Sequence, residues 1–316
     1  MIHSYQESTV TRLHSMMCAS LAFTTRSCVD DDISISVSRH NVIAAAERFE
    51  WDFDLKRLWL SKQRWTMLVN QYLNKGAMEY WLDGIDTGIA AKKNARGIAT
   101  MRTNTVAPRM TGRGVTRRWG SCILGFSYRQ WPYPQITMHS RTSYLGYIAA
   151  LDITLAYCLA KEIHLRTGMP PEEMQFVWQL EAAQFHPMRS MAYYLNSPRL
   201  RERFFAHNVD NDHSREISPG MHHSGKWFRQ IEQMDHEGKP YSEMTYSTFC
   251  RLRKRYHTEV IGTEYAENFG DDKVKPFKPL PSLKADELAI NFSKKHRNTE
   301  PDLDKVDINY DGEDED

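Results

Sequence analysis

The most regular alternation of hydrophobic and polar positions lies in residues 120–163. A short apolar run that carries Cys122 is followed by a Pro-rich turn at residues 131–134. A second short run, residues 135–140, then alternates apolar and polar side chains. Two such runs separated by a Pro-containing turn predict a β-hairpin.

The hairpin is followed by a long stretch whose apolar residues recur at helical spacing, which predicts a nearly all-buried helix. After it, Pro170 and Pro171 are expected to open a short helix. Alternation in residues 174–187 predicts a further strand. The apolar positions of the long helix are Leu145, Ile148, Ala149, Leu151, Ile153, Leu155, Leu159 and Ile163.

Shorter elements are predicted before the hairpin. Residues 33–38 alternate strictly and predict a strand. Asn41 is expected to cap a helix over residues 42–50, and Ser61 to cap another over residues 62–74.

The pattern between these helices and the hairpin is weaker. Residues 77–82 predict a short helix that ends at Gly84, and residues 83–97 predict an exposed loop. Residues 98–106 predict a strand. Residues 1–32 show no clear period.

The character of the chain changes after residue 206. Residues 1–206 contain the predicted sheet and its helices and are expected to form the main domain. Residues 207–272 predict an appended helical segment. Residues 273–316 are Lys/Pro-rich and then Asp-rich, which is typical of an extended or disordered acidic tail.

The amino-acid composition limits the classes of protein to which this chain could belong. The chain has 316 residues, 41% hydrophobic content and a net charge of +1, so bulk charge does not favour nucleic acid or a membrane surface. No apolar run approaches the roughly 18 residues of a membrane span, and the start of the chain lacks signal-peptide features. Five irregularly spaced cysteines without a CxxC motif favour a reducing, cytoplasmic setting. No metal site is predicted, because ligand spacings such as HExxH are absent.

Cys122 and Arg141 are the first candidates for chemistry. The hairpin is expected to bring them together although 19 residues separate them in sequence. A neighbouring guanidinium favours the thiolate and can also hold an anionic substrate. A buried structural thiol is the alternative for Cys122. Four arginines within residues 109–118 would either bind phosphate or lie in a solvated loop.

Three motifs then occur in a recognisable order: GSCILGFSYR, HSRTSYLGYIAALDITLAYCLAKEI and FVWQLEAAQFH. Their order and spacing, within residues 98–187, resemble the thymidylate synthase and deoxypyrimidine hydroxymethylase superfamily. The resemblance implies an α+β fold, a thymidylate-synthase-like mixed β-sheet backed by helices. It also implies a transferase that adds a one-carbon unit to C5 of a deoxypyrimidine nucleotide, dUMP or dCMP.

The resemblance assigns roles to the first two motifs. Cys122 would be the nucleophile that adds to C6 of the pyrimidine. Arg141 would bind the 5′-phosphate, and Ser143, or Thr142, would stand for the serine that follows this arginine. Glu79, in MEYWLDG, loosely resembles the family's catalytic glutamate, although the spacing is one residue short.

Further positions follow from the third motif and from the strand before the hairpin. Gln184 and His186 fall where the family binds the sugar hydroxyl. Arg102, or alternatively Arg96, falls near the arginines that reach into a partner subunit's phosphate site. The resemblance therefore implies a homodimer, and it implies 5,10-methylenetetrahydrofolate as the cofactor, although no folate-binding residues can be assigned.

The departures from the family pattern bear on the substrate. Ser121 and Ile123 replace the family's proline and histidine around the cysteine, and residues 145–150 lack the asparagine that reads the base. Asp152 is the nearest polar residue. A carboxylate accepts from a cytosine amino group, so Asp152 either indicates cytosine or is structural.

Two alternatives to this transferase remain open. One is a divergent homologue that runs other pyrimidine chemistry for modified viral DNA, since family members with such departures often occur in bacterial viruses; its location would then be the host cytoplasm. The other is a non-enzymatic nucleic-acid-binding protein that uses the arginines of residues 109–118 and 251–255.

Overall fold

The structure is a computed structural model, and it describes part of the chain. The described residues are 2–22, 28–29, 35–58, 60–63, 65–66, 69, 75–90, 96–100, 110–111, 114–115, 123–185, 202, 205–206, 210 and 282–292.

Strands, α-helices and 3₁₀ turns are present among these residues, and residues 62–63, 65–66 and 69, after Ser61, are also helical. The strands are β1 (His3–Thr9), β2 (Cys28–Val29), β3 (Ile35–Arg48), β4 (Arg96–Thr100), β5 (Met110–Thr111), β6 (Gly114–Val115), β7 (Ile123–Arg129), β8 (Gln135–Tyr144) and β9 (Gln175–Phe185). The α-helices are α1 (Val10–Ala22), α2 (Lys75–Ala90) and α3 (Ala149–Thr167), and single 3₁₀ turns cover Leu55–Leu58, Pro171–Glu173 and Ala285–Glu287.

The predicted hairpin and the helix after it are confirmed. β7 pairs antiparallel with β8, with Phe126 opposite Met138 and a bulge between Ile123 and Gly125. The chain then crosses through α3 and returns as β9, which pairs parallel with β8. Nearly every side chain of α3 is buried, as its apolar spacing predicts.

These strands belong to a seven-stranded mixed sheet. Its order is β1-β3-β9-β8-β7-β4, and β2 pairs with β3 beside this path. The pairs β1–β3 and β8–β9 are parallel and the others antiparallel. A mixed sheet with helices confirms the α+β class.

One layer of the core lies between this sheet and the helices α1 and α3. The inward side chains of the strands, such as Phe176 and Trp178, are fully buried in one cluster with apolar residues of both helices. Trp51, which follows β3, donates a 2.9 Å hydrogen bond from its indole nitrogen to Thr154 of α3. The layer therefore fixes the start of α3 against the sheet. In the part of the chain that is described, no helix is long and apolar enough to cross a membrane.

The prediction of a helix over residues 42–50 is wrong. Residues 42–48 are the second half of β3, paired with β1 on one side, while residues 42–46 pair with β9 on the other. Asn41 does not cap a helix but has a positive φ of 54° inside the strand. Ladder pairing on both sides overrides the helix propensity of this alanine-rich segment.

Two other boundaries also differ from prediction. α2 runs from Lys75 to Ala90, so Gly84 lies inside the helix, and residues 83–90 are helical instead of an exposed loop. A Cβ at Gly84 would meet nothing within 4 Å, which shows that no packing requires a glycine there. The strand predicted over residues 98–106 is described as β4, Arg96–Thr100.

Residues 282–292, which the sequence places in the tail, pack on the main body. The backbone nitrogen of Leu55 donates to the carbonyl of Leu283 at 2.9 Å, and Asp54 accepts from the nitrogen of Leu283 at 3.0 Å. Cys158 of α3 donates to the carbonyl of Leu288. We call residues 282–292 the strap. Residues 207–209 and 272 fall outside the described residues, so the predicted domain boundaries after residues 206 and 272 stay predictions.

A buried arginine joins α2 to the last turn of α3. Arg166 is 1% exposed, and its guanidinium bonds Glu162 at 3.2 Å and also pairs with Asp86 of α2. Charges removed from water stabilise a fold only when their partners remain in place. The three side chains therefore act as one unit.

We expect Arg166→Ala to lower the free energy of unfolding by about 3–5 kcal/mol, because it leaves two carboxylates without their cation in a buried site. Urea denaturation measures the change. Arg48→Ala is the matched control, since its pair with Glu50 is half exposed and such pairs contribute about 1 kcal/mol or less. Equal losses in the two variants would contradict the assignment.

Candidate functional site

The candidate site lies where β8 and β9 end. The two strands are parallel and in register, with Ser143 opposite Ala183 and Tyr144 opposite Gln184. Their carboxyl ends therefore meet at the same edge of the sheet. This edge, at the start of a crossover helix, is where open α/β sheets bind ligands.

A tight turn carries the chain from β8 into α3. Gly146 has a φ of 75°, in the left-handed region that favours glycine. The backbone nitrogen of Leu145 donates to the carbonyl of Gln184 at 2.7 Å, which ties the turn to β9. The first turn of α3 is thereby placed directly over the end of β8.

This arrangement brings Ser143 and Asp152 together. The Ser143 hydroxyl donates to Oδ2 of Asp152 at 2.7 Å, and each residue is 1% exposed. Both residues were candidate substrate ligands from the sequence. The sequence places them nine residues apart and gave no reason to expect this contact.

The Asp152 carboxyl is only partly satisfied. Its second oxygen, Oδ1, is buried and has no hydrogen-bond partner. Burial raises the pKa of Asp152 to about 7, and the hydrogen bond from Ser143 opposes that rise. Asp152 thus takes up a proton near neutral pH and keeps one acceptor available.

Gln184 adds a second available acceptor at the same edge. It lies opposite Tyr144 on β9, and its side-chain oxygen Oε1 is buried without a hydrogen-bond partner. A buried acceptor without a donor costs about 1–3 kcal/mol. Two such acceptors at one sheet edge indicate a place where a ligand with hydrogen-bond donors is favoured.

Arg141 lies two residues before Ser143 and is exposed. The β8–β9 register places it beside Glu181, which is also exposed. Glu181 was not a candidate from the sequence, although strict alternation along β9 would have placed it on the face of Arg141. Its negative charge opposes the attraction of Arg141 for an anion.

The structure does not place the other candidate residues at this edge of the sheet. Cys122, Arg102 and His186 lie outside them; Cys122 directly precedes β7, whose Ile123 pairs with Ser140. Glu79 is half-buried on α2, the helix whose Asp86 pairs with Arg166 near the far end of α3. The alternative Arg96 begins β4.

A second thiol lies under the site and was not a candidate. Cys18 of α1 is buried 3.5 Å from Nε2 of His14 and bonds the backbone of Gly146. Burial raises the pKa of Cys18 far above its ordinary value and lowers that of His14 to about 4. Both groups are therefore neutral, and this pair supports the Gly146 turn and is not a nucleophile.

We expect the contribution of Asp152 to the free energy of unfolding to fall as pH rises from about 4 to about 7. In this window folded Asp152 keeps its proton, whereas the unfolded chain loses it near the ordinary value of 3.8, so this group binds more protons in the folded state. His14, whose pKa burial lowers from 6.5 to about 4, contributes in the opposite direction over the same window. Asp152→Asn should therefore make the free energy of unfolding rise with pH relative to the unaltered protein, by on the order of 4 kcal/mol across the window. Urea denaturation across this range measures it.

Two further variants test whether Asp152 causes this pH dependence of stability. Ser143→Ala should extend the fall to higher pH, because the hydrogen bond that lowers the pKa of Asp152 is lost. Glu181→Gln neutralises an exposed carboxylate and should leave the slope as it is. A slope that is the same in Asp152→Asn and in the unaltered protein would contradict the role of Asp152.

Comparisons with known proteins complete the description of the site. No protein-family model matches the chain, and a search of curated proteins returns no similar sequence. Among solved structures, the thymidylate synthase of T4 phage is similar, with a TM-score of 0.36 and 7% identity over 56% of this chain and 77% of that one. This likeness concerns the course of the chain and assigns no residue a role.

Proposed function

We propose that the protein is a transferase that modifies C5 of a deoxypyrimidine nucleotide through a covalent cysteine adduct at C6. The observation that carries the proposal is the buried Ser143–Asp152 pair, which leaves Asp152 Oδ1 without a hydrogen-bond donor. Oε1 of Gln184, on the neighbouring strand at the same sheet edge, is also buried without a donor. The motif order around Cys122 and Arg141, which resembles that of deoxypyrimidine-modifying enzymes, supports the same conclusion.

Asp152 is proposed to read the base. Ser143 occupies Oδ2, so Oδ1 is left to accept one hydrogen bond. The amino group at C4 of cytosine donates such a bond, whereas the oxygen at C4 of uracil repels a carboxylate. The ionised site therefore favours dCMP over dUMP.

Arg141 is proposed to bind the 5′-phosphate. A guanidinium offers two parallel N–H groups to two phosphate oxygens, which a lysine cannot do. Its exposed position two residues before the base-reading pair is compatible with a nucleotide that lies along the end of β8. Glu181 beside it would weaken this contact, so its removal should tighten phosphate binding.

Cys122 is proposed to carry the chemistry. Its thiolate attacks C6, the C5–C6 double bond opens, and the electron pair becomes nucleophilic at C5. C5 then bonds the one-carbon unit, whose bond to its donor breaks so that the donor would leave with that electron pair. A base removes the C5 proton, and elimination of the thiolate restores the double bond. An ordered water would move these protons, because Glu79, the candidate from the resemblance, lies on α2 away from this edge.

The one-carbon donor is taken from the resemblance alone, which implies 5,10-methylenetetrahydrofolate. This group would supply the electrophile. None of the described residues that we assign to the site is suited to hold it, and no step above depends on its geometry.

A homodimer is proposed on the open face of the sheet. Opposite the helices, Ile43 and Leu124 are 40% and 43% exposed, and they line a groove of about 450 Å³ with His139, Gln179 and Glu181. Covering these exposed apolar side chains would remove apolar surface from water, which favours association. A second copy placed on this face would cover it with the same surface.

Calorimetric binding of dCMP and dUMP is the first test of the proposed function. We expect micromolar binding of dCMP, at least tenfold weaker binding of dUMP at pH 8, and loss of dCMP binding in Arg141→Ala. Asp152→Asn should bring the two affinities together, since an amide both donates and accepts. Glu181→Gln should bind more tightly than the unaltered protein.

Release of tritium from C5-labelled nucleotide tests the chemistry separately. Cys122→Ser should bind dCMP but release no tritium. Binding without release by the unaltered protein would indicate a homologue with other pyrimidine chemistry. Absence of binding to either nucleotide would overturn the proposal and make a salt-dependent DNA gel shift the next measurement.

Light scattering after size-exclusion chromatography tests the homodimer. The chain of 36.9 kDa should elute at twice that mass, and Ile43→Asp should convert it to monomer by burying a charge in the interface. Tyr80→Asp is the control, because Tyr80 is 83% exposed on α2, away from the open face. A monomeric unaltered protein would contradict the proposal.

A further inference from the structure

The turn between β7 and β8 presents two aromatic side chains to solvent. Trp131 is 64% exposed and Tyr133 is 63% exposed. We call residues 130–134 the aromatic turn. Large aromatic side chains bury much apolar area at low entropic cost, and they are enriched among the residues that dominate binding at protein interfaces.

The aromatic turn is held in place by bonds on both sides. Arg129 and Gln135 pair across its base, and the Arg129 guanidinium donates to the side-chain oxygen of Gln135. Gln135 in turn donates to Thr137 at 2.8 Å. The carbonyl of Pro134 accepts from the nitrogen of Gln175 at 2.8 Å, which ties the turn to β9. These hydrogen bonds therefore hold in place the backbone that carries the two rings.

Two carboxylates lie next to this turn. The 3₁₀ turn Pro171–Glu173 directly precedes β9, whose Gln175 pairs with Gln135, and both Glu172 and Glu173 are exposed. The surface thus combines two aromatic rings with the negative charges of Glu172 and Glu173 and the positive charge of Arg129. It lies where β8 begins, at the opposite end of that strand from Ser143.

We propose that the aromatic turn and Glu172–Glu173 form a docking surface for an arginine- or lysine-bearing segment of a partner protein. Aromatic faces attract guanidinium and ammonium groups, and neighbouring carboxylates add charge pairing. The same carboxylates repel the phosphates of single-stranded nucleic acid, which would otherwise stack on the rings. The surface is independent of the proposed nucleotide site.

Fluorescence anisotropy of a labelled peptide of alternating arginine and proline tests the surface on the full chain. We expect binding that weakens with added salt. The double variant Trp131→Ala, Tyr133→Ala should bind about tenfold or more weakly, which corresponds to the loss of two cation–π contacts. Glu172→Gln, Glu173→Gln should bind more weakly and with a smaller salt dependence.

Three controls test whether peptide binding depends on the aromatic turn. Tyr80→Ala removes an aromatic side chain that is 83% exposed elsewhere and should bind as the unaltered protein does. A glutamate–proline peptide should not bind. Urea denaturation should show that the variants stay folded, since the altered side chains are exposed. No binding of the arginine peptide, equal binding by the aromatic double variant, or tighter binding of labelled oligothymidylate would overturn the proposal.

Discussion

The parallel pairing of β8 with β9 is the constraint on which the rest of the structure depends. A chain that leaves β8 can enter a parallel neighbour only by crossing one face of the sheet, and α3 makes that crossing. The crossover buries the helix on nearly all sides. It also sets the two strand ends side by side, and together with the turn at Gly146 this places Ser143, Asp152 and Gln184 at one edge of the sheet.

Among the described residues, Arg166 and Asp152 are buried ionisable groups whose hydrogen-bonding needs are met to different degrees. Arg166 has carboxylates on two helices, so its charge is matched and its role is to join those helices. Asp152 has one hydroxyl donor for two oxygens. A protein retains an unmatched buried acceptor at a cost in stability. The contrast gives Arg166 a role in joining the helices and makes Asp152 the residue on which the proposed recognition of the base depends.

The hydrophobic pattern predicts a helix or strand correctly where the side chains of that segment alone decide its conformation. The hairpin of β7 and β8 follows from alternation and a Pro-rich turn, and α3 follows from its apolar spacing. Residues 42–48 could not be predicted, because an alanine-rich segment becomes a strand only when β1 and β9 flank it. The candidate list contained Ser143 and Asp152, but their contact depends on the turn at Gly146, and the position of Glu181 beside Arg141 depends on register.

The strap has a consequence for how the protein is made. Residues 282–292 complete hydrogen bonds to Asp54, in the first fifth of the chain, and to Cys158, near its middle. These partners are synthesised long before the strap leaves the ribosome. The apolar surface around Leu55 and Cys158 therefore stays uncovered until the strap has been synthesised, and closure of this part of the core is a late step that shields the surface from other nascent chains.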